Sequence, residues 1–206
     1  ENTGEGQVDT GRMYSSLLRL ARETGVEIYN GIEVKRFEDD GTVKLYIMGG
    51  RISCNRFLVA TNGFASGLLG DRVTPARAQV ILTSKIKNLK PKGCFHMLEG
   101  FYYFRDVDGR ILFGGGRQTD FETETTEQLG INPDIQDHLE SILAAVILPG
   151  EDFKIEQRWS GIMGMGKEKQ VTMEALSPHV FCAVGLSGMG LALSTLLGKE
   201  VAEMMG

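Results

Sequence analysis

Near the C-terminus an apolar run, Val180–Val184, leads into Gly185-Leu-Ser-Gly188-Met-Gly190 and then into a largely apolar stretch, Leu191–Met205. This spacing predicts a strand, a tight turn and a helix whose N-terminus faces whatever lies over the strand end. Such a helix start collects backbone N–H groups without helical partners and the positive pole of the helix dipole, which suits a phosphate or a carbonyl group. The same glycines would also serve a plain tight turn packed on a sheet. Their order is GxxGxG. The GxGxxG order that follows a strand and opens a helix in dinucleotide sites does not occur in the 206 residues. The chain thus carries one half of what looks like a cofactor-site signature and lacks the other.

The rest of the chain says what that turn belongs to. Asp9 is a candidate N-cap, Tyr14, Leu17, Leu18 and Ala21 fall on one helical face, and Gly25 stands where a helix would stop. Val26–Tyr29, Glu33–Phe37, Val43–Ile47 and Arg51–Cys54 read as short strands, three of them forming a meander. Phe57–Ala60 reads as a central parallel strand buried on both faces and ending in Thr61-Asn62-Gly63. From Thr74 the style changes to strands joined by short turns: Ala78–Ser84, Cys94–Leu98, Phe101–Val107 and Arg110–Gly115. Asn132 and Pro133 open a helix with Ile135, Leu139, Ile142 and Val146 on its apolar face and His138 off it, and Phe153–Ile162 returns as a strand. The expected fold is α/β plus α+β, with an antiparallel domain over residues 74–163 interrupting an α/β domain formed by residues 1–73 and 164–206.

Composition removes several function classes. Net charge is −5 and the lysines at 85, 87, 90 and 92 are scattered, so no basic footprint for nucleic acid exists. The longest apolar run, Ala144–Leu148, is too short for a membrane span, and residues 1–5 lack the character of a secretory leader, which points to a cytoplasmic protein. Cys54, Cys94 and Cys182 lie far apart without CxxC spacing, and His96, His138 and His179 are isolated, so neither a disulfide nor a metal site is expected.

The motifs gain meaning together. Ala60-Thr-Asn-Gly63 ends one strand, Pro75-Ala-Arg77-Ala-Gln79 crosses into the antiparallel segment, and Tyr102 to Arg117 reads YYFRDVDGRILFGGGR. Arg158-Trp-Ser-Gly161 and the terminal GLSGMG follow. In this order they resemble the FAD-dependent oxidoreductases of the D-amino-acid-oxidase and glycine-oxidase type, nearest to the amine-oxidising, gamma-glutamylputrescine-oxidase-like branch.

The resemblance implies FAD as cofactor and a small-molecule amine or amino acid as substrate, with a homo-oligomer as a possible assembly. It places Val34 near the adenine, Ala60, Thr61, Asn62 and Gly63 along the ADP portion, and Gly185, Leu186, Ser187, Gly188, Met189, Gly190 and Leu191 at the ribityl chain and pyrimidine edge of the flavin. Tyr102, Tyr103, Arg117 and Trp159 are the candidate substrate-side residues. Alternation along one strand would let one tyrosine close the cavity, or both could be sheet packing. Arg117 would meet an anionic group or form a surface salt bridge, and Trp159 would be core or pocket wall. Two departures stand out: Met163 occupies the position of the arginine that pairs with the substrate carboxylate in glycine-oxidase-like members, and Ala192 that of a basic residue in sarcosine-oxidase-like members. The alternative is a non-catalytic domain or a nucleotide-binding module that holds no flavin by itself.

Overall fold

In the computed structural model, which describes Gly4 and residues 6–206, the chain divides into two compact units, residues 1–33 and 34–206. The first carries helix α1 (Thr10–Glu23). Asp9 caps it as its sequence position requires: the backbone there is extended, and Oδ1 accepts from Arg12 N–H at 3.0 Å. Gly25 ends it at φ +89°, a left-handed conformation open to glycine at little cost. Val26–Tyr29, expected as a strand, is not one. Val26 N–H bonds back to Ala21 C=O at 3.0 Å, and no described strand offers the segment a ladder partner. The leader expectation concerns residues 1–5, which apart from Gly4 lie outside the described residues.

The second unit holds three sheets. Strands β1 (Val34–Asp39), β2 (Val43–Ile47) and β3 (Gly50–Cys54) form the antiparallel meander, with Val43, Leu45 and Val180 as its buried cluster. Alternating apolar and polar residues on β2 give that sheet one dry face. Strand β4 (Phe57–Val59) pairs in parallel with β11 (Val180–Val184), and β10 (Thr172–Ala175) closes the sheet in the order β10-β11-β4. Among the described residues β4 pairs with β11 alone, and Val59 is the buried one of its three residues. β10 carries no apolar run and was not legible in the sequence.

The third sheet has the order β6 (Cys94–Met97), β7 (Tyr102–Val107), β8 (Arg110–Gly115), β5 (Thr74–Thr83), β9 (Ile155–Met165), antiparallel throughout. Helix α3 (Pro133–Ile142), capped by Asn132 with Pro133 in its first turn, packs on one face of it. Ile81, Ile111, Phe113 and Tyr102 meet Ile135, Leu139 and Leu143 there. The expected helical stripe holds for Ile135 and Leu139, with Ile142 half-buried against the same cluster, and fails at Val146. A π-helical turn over Leu143–Ile147 inserts one residue per turn, so Leu143 and Ile147 enter the core while Val146 is left 63% exposed.

A polar clasp ties the meander to the turn before β11. Asp39 accepts from Ser177 Oγ, from His179 N–H at 3.2 Å and pairs with His179 Nδ1 at 2.9 Å. Those bonds, Ser177 first, hold its carboxyl down to about 2. A carboxylate lowered by folding stabilises above its unfolded pKa, about 3.9, and loses that contribution as pH falls to the folded value. Asp39→Asn should therefore flatten the acid limb of stability between roughly pH 4 and pH 2, as read by acid-induced unfolding followed by circular dichroism.

Candidate functional site

Two loops distant in sequence are joined by one side chain. Asn62, at φ +45°, directs Oδ1 at the N–H of Gly185 (3.0 Å) and of Leu186 (3.2 Å). The end of β4 is thus fastened to the glycine turn after β11. The end of β9 completes the knot: Met165 bridges Leu186, a Cβ at Gly63 would lie 2.6 Å from Met163 C=O, and one at Gly164 would lie 2.4 Å from Asn62 Oδ1. Gly63 and Gly164 are glycines because backbones approach there. The Met163-Gly-Met-Gly166 run was the signal for this approach.

The two N–H groups bound by Asn62 are not available to a ligand, which narrows the sequence expectation for the turn. What stays open lies further on. Ser187, at φ +51°, starts a short turn; Gly188 has open space where a Cβ would stand; and helix α4 (Gly190–Met205) begins with no side-chain cap and no acidic residue in its first turn. A sixteen-residue helix with an uncapped start offers N–H groups and positive dipole to acceptor oxygens. Met189 and Leu191 flank it, both exposed. Ala60 and Thr61 are exposed beside Asn62, while Val34 is packed with the Val43, Leu45 and Val180 cluster on the meander.

The five-stranded sheet separates the other candidates. Antiparallel register aligns His96, Tyr103, Gly114, Val80 and Trp159 in one row across the sheet, and cross-strand partners share a face. Tyr103 lays its ring over Gly114, where a Cβ would come within 2.7 Å of the phenol. Burial pushes the Tyr103 phenol up, so it stays protonated. Trp159 is 37% exposed, and beside it Gly161 has nothing within 4 Å of a built Cβ. Trp159 is therefore not part of the buried core.

Tyr102 points the other way and is corrected from candidate to packing residue. It is 2% exposed under α3, and its hydroxyl lies 2.8 Å from His138 Nε2. His138, expected to be solvated, keeps an exposed edge but is tied down by that bond. Strand alternation made the split between the tyrosines foreseeable; only the position of α3 says which face each takes.

Arg117 forms no ion pair among the described residues, so the surface salt bridge is not what the structure contains. Its guanidinium sits 4.8 Å from the Phe121 ring centroid, with one long bond, 3.5 Å, to Thr125 Oγ1, and Nε is buried without a partner. Burial pulls its pKa down. It heads residues 117–131, a segment held by Glu124, which is fully buried and bound by Arg77, Gln79 and Asn132. Glu127 of the same segment accepts from Ser66 Oγ, in the short turn α2 (Ser66–Leu69) that follows the Asn62 loop. Arg117 and the Asn62 knot therefore share one end of the sheet. The described residues contain no group of three or more His, Cys, Asp and Glu arranged to hold a metal, and no helix long and apolar enough to cross a membrane.

Comparison with known proteins gives this geometry a context. A family profile described as "DAO: FAD dependent oxidoreductase" matches residues 1–204. A probable oxidoreductase, OrdL, of Rhizobium meliloti (strain 1021) is 28% identical over 214 residues, 98% of this chain and 48% of that protein. The gamma-glutamylputrescine oxidoreductase of Escherichia coli (strain K12) is 23% identical over 206 residues, 89% of this chain and 44% of that protein. The chain thus spans about half the length of the curated relatives it matches. Among solved structures, L-proline dehydrogenase from P. horikoshii superposes with a TM-score of 0.79 at 18% identity, over 96% of this chain and 55% of that one. Glycine oxidase from Geobacillus kaustophilus gives 0.78 at 19% identity, over 97% and 54%. At these identities the structural likeness speaks for the fold.

Proposed function

The chain belongs to the DAO family of FAD-dependent oxidoreductases, and on that premise we propose that it serves an enzyme that oxidises the C–N bond of an amine or amino acid. In this reading residues 1–73 and 164–206 serve the cofactor, and residues 74–163 form the substrate domain. The observation that carries it is the Asn62 carboxamide fastening Gly185 and Leu186, because it holds the open turn and the uncapped α4 start in one fixed place.

The chemistry that FAD supplies when bound is two-electron oxidation of the carbon–nitrogen bond to an imine, which water then hydrolyses. The residues of this chain supply position and environment. Ala60 to Gly63 and Gly185 to Leu191 would line the cofactor, with the α4 N-terminus favouring negative charge on the edge it faces. Trp159 and Tyr103 would wall the substrate side and exclude water. Around them the face carries Ala76, Ala78, Val80, Gly114, Gly161 and Met163, and His96 stands at the β6 end of the Tyr103 row. The Tyr103 hydroxyl, kept neutral by burial, would offer the substrate a hydrogen bond.

The full-length protein should purify with an absorbance band near about 450 nm that an amine or amino acid bleaches under anaerobic conditions. A colourless protein that takes up no added FAD defeats the proposal.

A further inference from the structure

We infer that Arg117 is a specificity-determining residue that receives a carboxylate of the substrate; the inference rests on the function proposed above. Its basis is a cation held in place without a counter-ion. Arg77, Arg110 and Arg158 of the same sheet pair with the carboxylates of Glu124, Glu156 and Glu140. Arg117 pairs with none among the described residues: its hydrogen bond to Thr125 Oγ1 is long, 3.5 Å, and its Nε is buried with no acceptor. A half-buried cation left in that state costs stability, and a bound anion would offset the cost. The guanidinium is a planar fork of donors that matches a carboxylate through paired bonds. Lying over the Phe121 ring, 4.8 Å from its centroid, it takes support from the ring and keeps donors for an acceptor.

The chain fixes Arg117 from both sides. Before it, a Cβ at Gly114 would lie 2.7 Å from the Tyr103 phenol, one at Gly115 2.0 Å from Phe101 C=O, and one at Gly116 2.8 Å from Ile135 Cγ2. The three glycines are thus required by close neighbours, and together they set the backbone that leads into Arg117. After it, Glu124 C=O accepts from Arg77 N–H at 2.8 Å and the Glu124 carboxylate is clasped by Arg77, Gln79 and Asn132. Gly115 pairs with Gln79, Glu124 meets Arg77, and Glu127 meets Ser66, so the segment continues the place of β8 along β5 toward the Asn62 loop. Arg117 therefore stands between the Tyr103 row and the cofactor side, and a donor fixed in place binds without the entropy of ordering it. Arg105 is the rival cation. It shares the Tyr103 face through the Arg105–Leu112–Leu82 row, farther along β7 from the end next to Arg117.

The test uses pairs of substrates that differ by one carboxylate. δ-Aminovalerate carries it at the far end of the chain of n-pentylamine, and norvaline carries it on the nitrogen-bearing carbon of n-butylamine, so the pairs also say where along the substrate Arg117 reaches. With flavin-bearing full-length protein under anaerobic conditions, the acid of one pair should reduce the flavin with kcat/KM at least about 10-fold above its carboxylate-free partner. Arg117→Gln should cut that preference about 30-fold, mainly through KM, and Arg117→Lys, which keeps the charge without the fork, should cut it less. Valerate, which has no nitrogen to oxidise, should inhibit competitively, and Arg117→Gln should raise its inhibition constant by about the same 30-fold factor. Arg105→Gln should move the preference less than Arg117→Gln does. A loss shared equally by acid and amine is a structural effect and overturns this inference alone. So does a larger shift from Arg105→Gln, or a preference for the carboxylate-free amine in both pairs. A flavin-bearing protein reduced by no amine or amino acid overturns the proposed function and this inference with it.

Discussion

Glu124→Ala should destabilise the fold by about 3–5 kcal/mol, the cost of removing one partner from a buried ion pair and leaving the other charge uncompensated. Glu124 is 0% exposed and receives Arg77 through two donors, Nη2 at 2.7 Å and Nε at 3.1 Å, with Gln79 and Asn132 each at 3.1 Å. Arg77 is itself only 13% exposed. Burial alone would raise the Glu124 pKa, but Arg77, Gln79 and Asn132 together hold it below its ordinary value. The sign follows from that direction: its contribution is complete above the unfolded pKa, about 4.3, and is lost as pH falls through the lower folded value. Thermal unfolding at pH 7 should show a fall in Tm of roughly 10 °C. Replacing both partners, Glu124→Leu with Arg77→Met, should recover most of it. A single variant as stable as wild type would mean that the segment 117–131 is held by other contacts.

Asn62→Ala should weaken FAD binding by the full-length protein roughly 30-fold, equivalent to about 2 kcal/mol. The variant strips the shared acceptor from Gly185 and Leu186 N–H, and it puts a Cβ residue without a local hydrogen-bonding side chain at φ +45°. The turn would then have no fixed position relative to the end of β4. Asn62→Asp keeps an acceptor at the same place and should bind more tightly than Asn62→Ala. FAD titration of the apoprotein, with far-UV circular dichroism as a control for folding, reads the effect. An alanine variant with native secondary structure and unchanged affinity would remove Asn62 from the cofactor site.

Local rules made much of the architecture legible. The Asp9 cap, the Gly25 stop, the β2 alternation and the Asn132-Pro133 helix start each rest on interactions within a few residues, and each appears where the sequence puts it. The glycine turn and its helix follow the same logic. Misreadings came where a segment's state depends on neighbours. Among the described strands Val26–Tyr29 finds no ladder partner despite strand-like residues, and the π turn brings Leu143 and Ile147 into the core while Val146 stays exposed.

For the candidate site, the sequence by itself determined the inventory: two glycine-bearing strand ends, a pair of adjacent tyrosines and a tryptophan strand in an order that matches the DAO family. Only the tertiary structure decided which groups act together. Asn62 binding Gly185 and Leu186 spans more than a hundred residues, Trp159 and Tyr103 meet one face through the register of four strands, and Tyr102 turns away because α3 covers its side. Turns and caps are set by forces within one or two residues of the chain, whereas a site is set by which surfaces pack, and packing partners are not written in the local spacing.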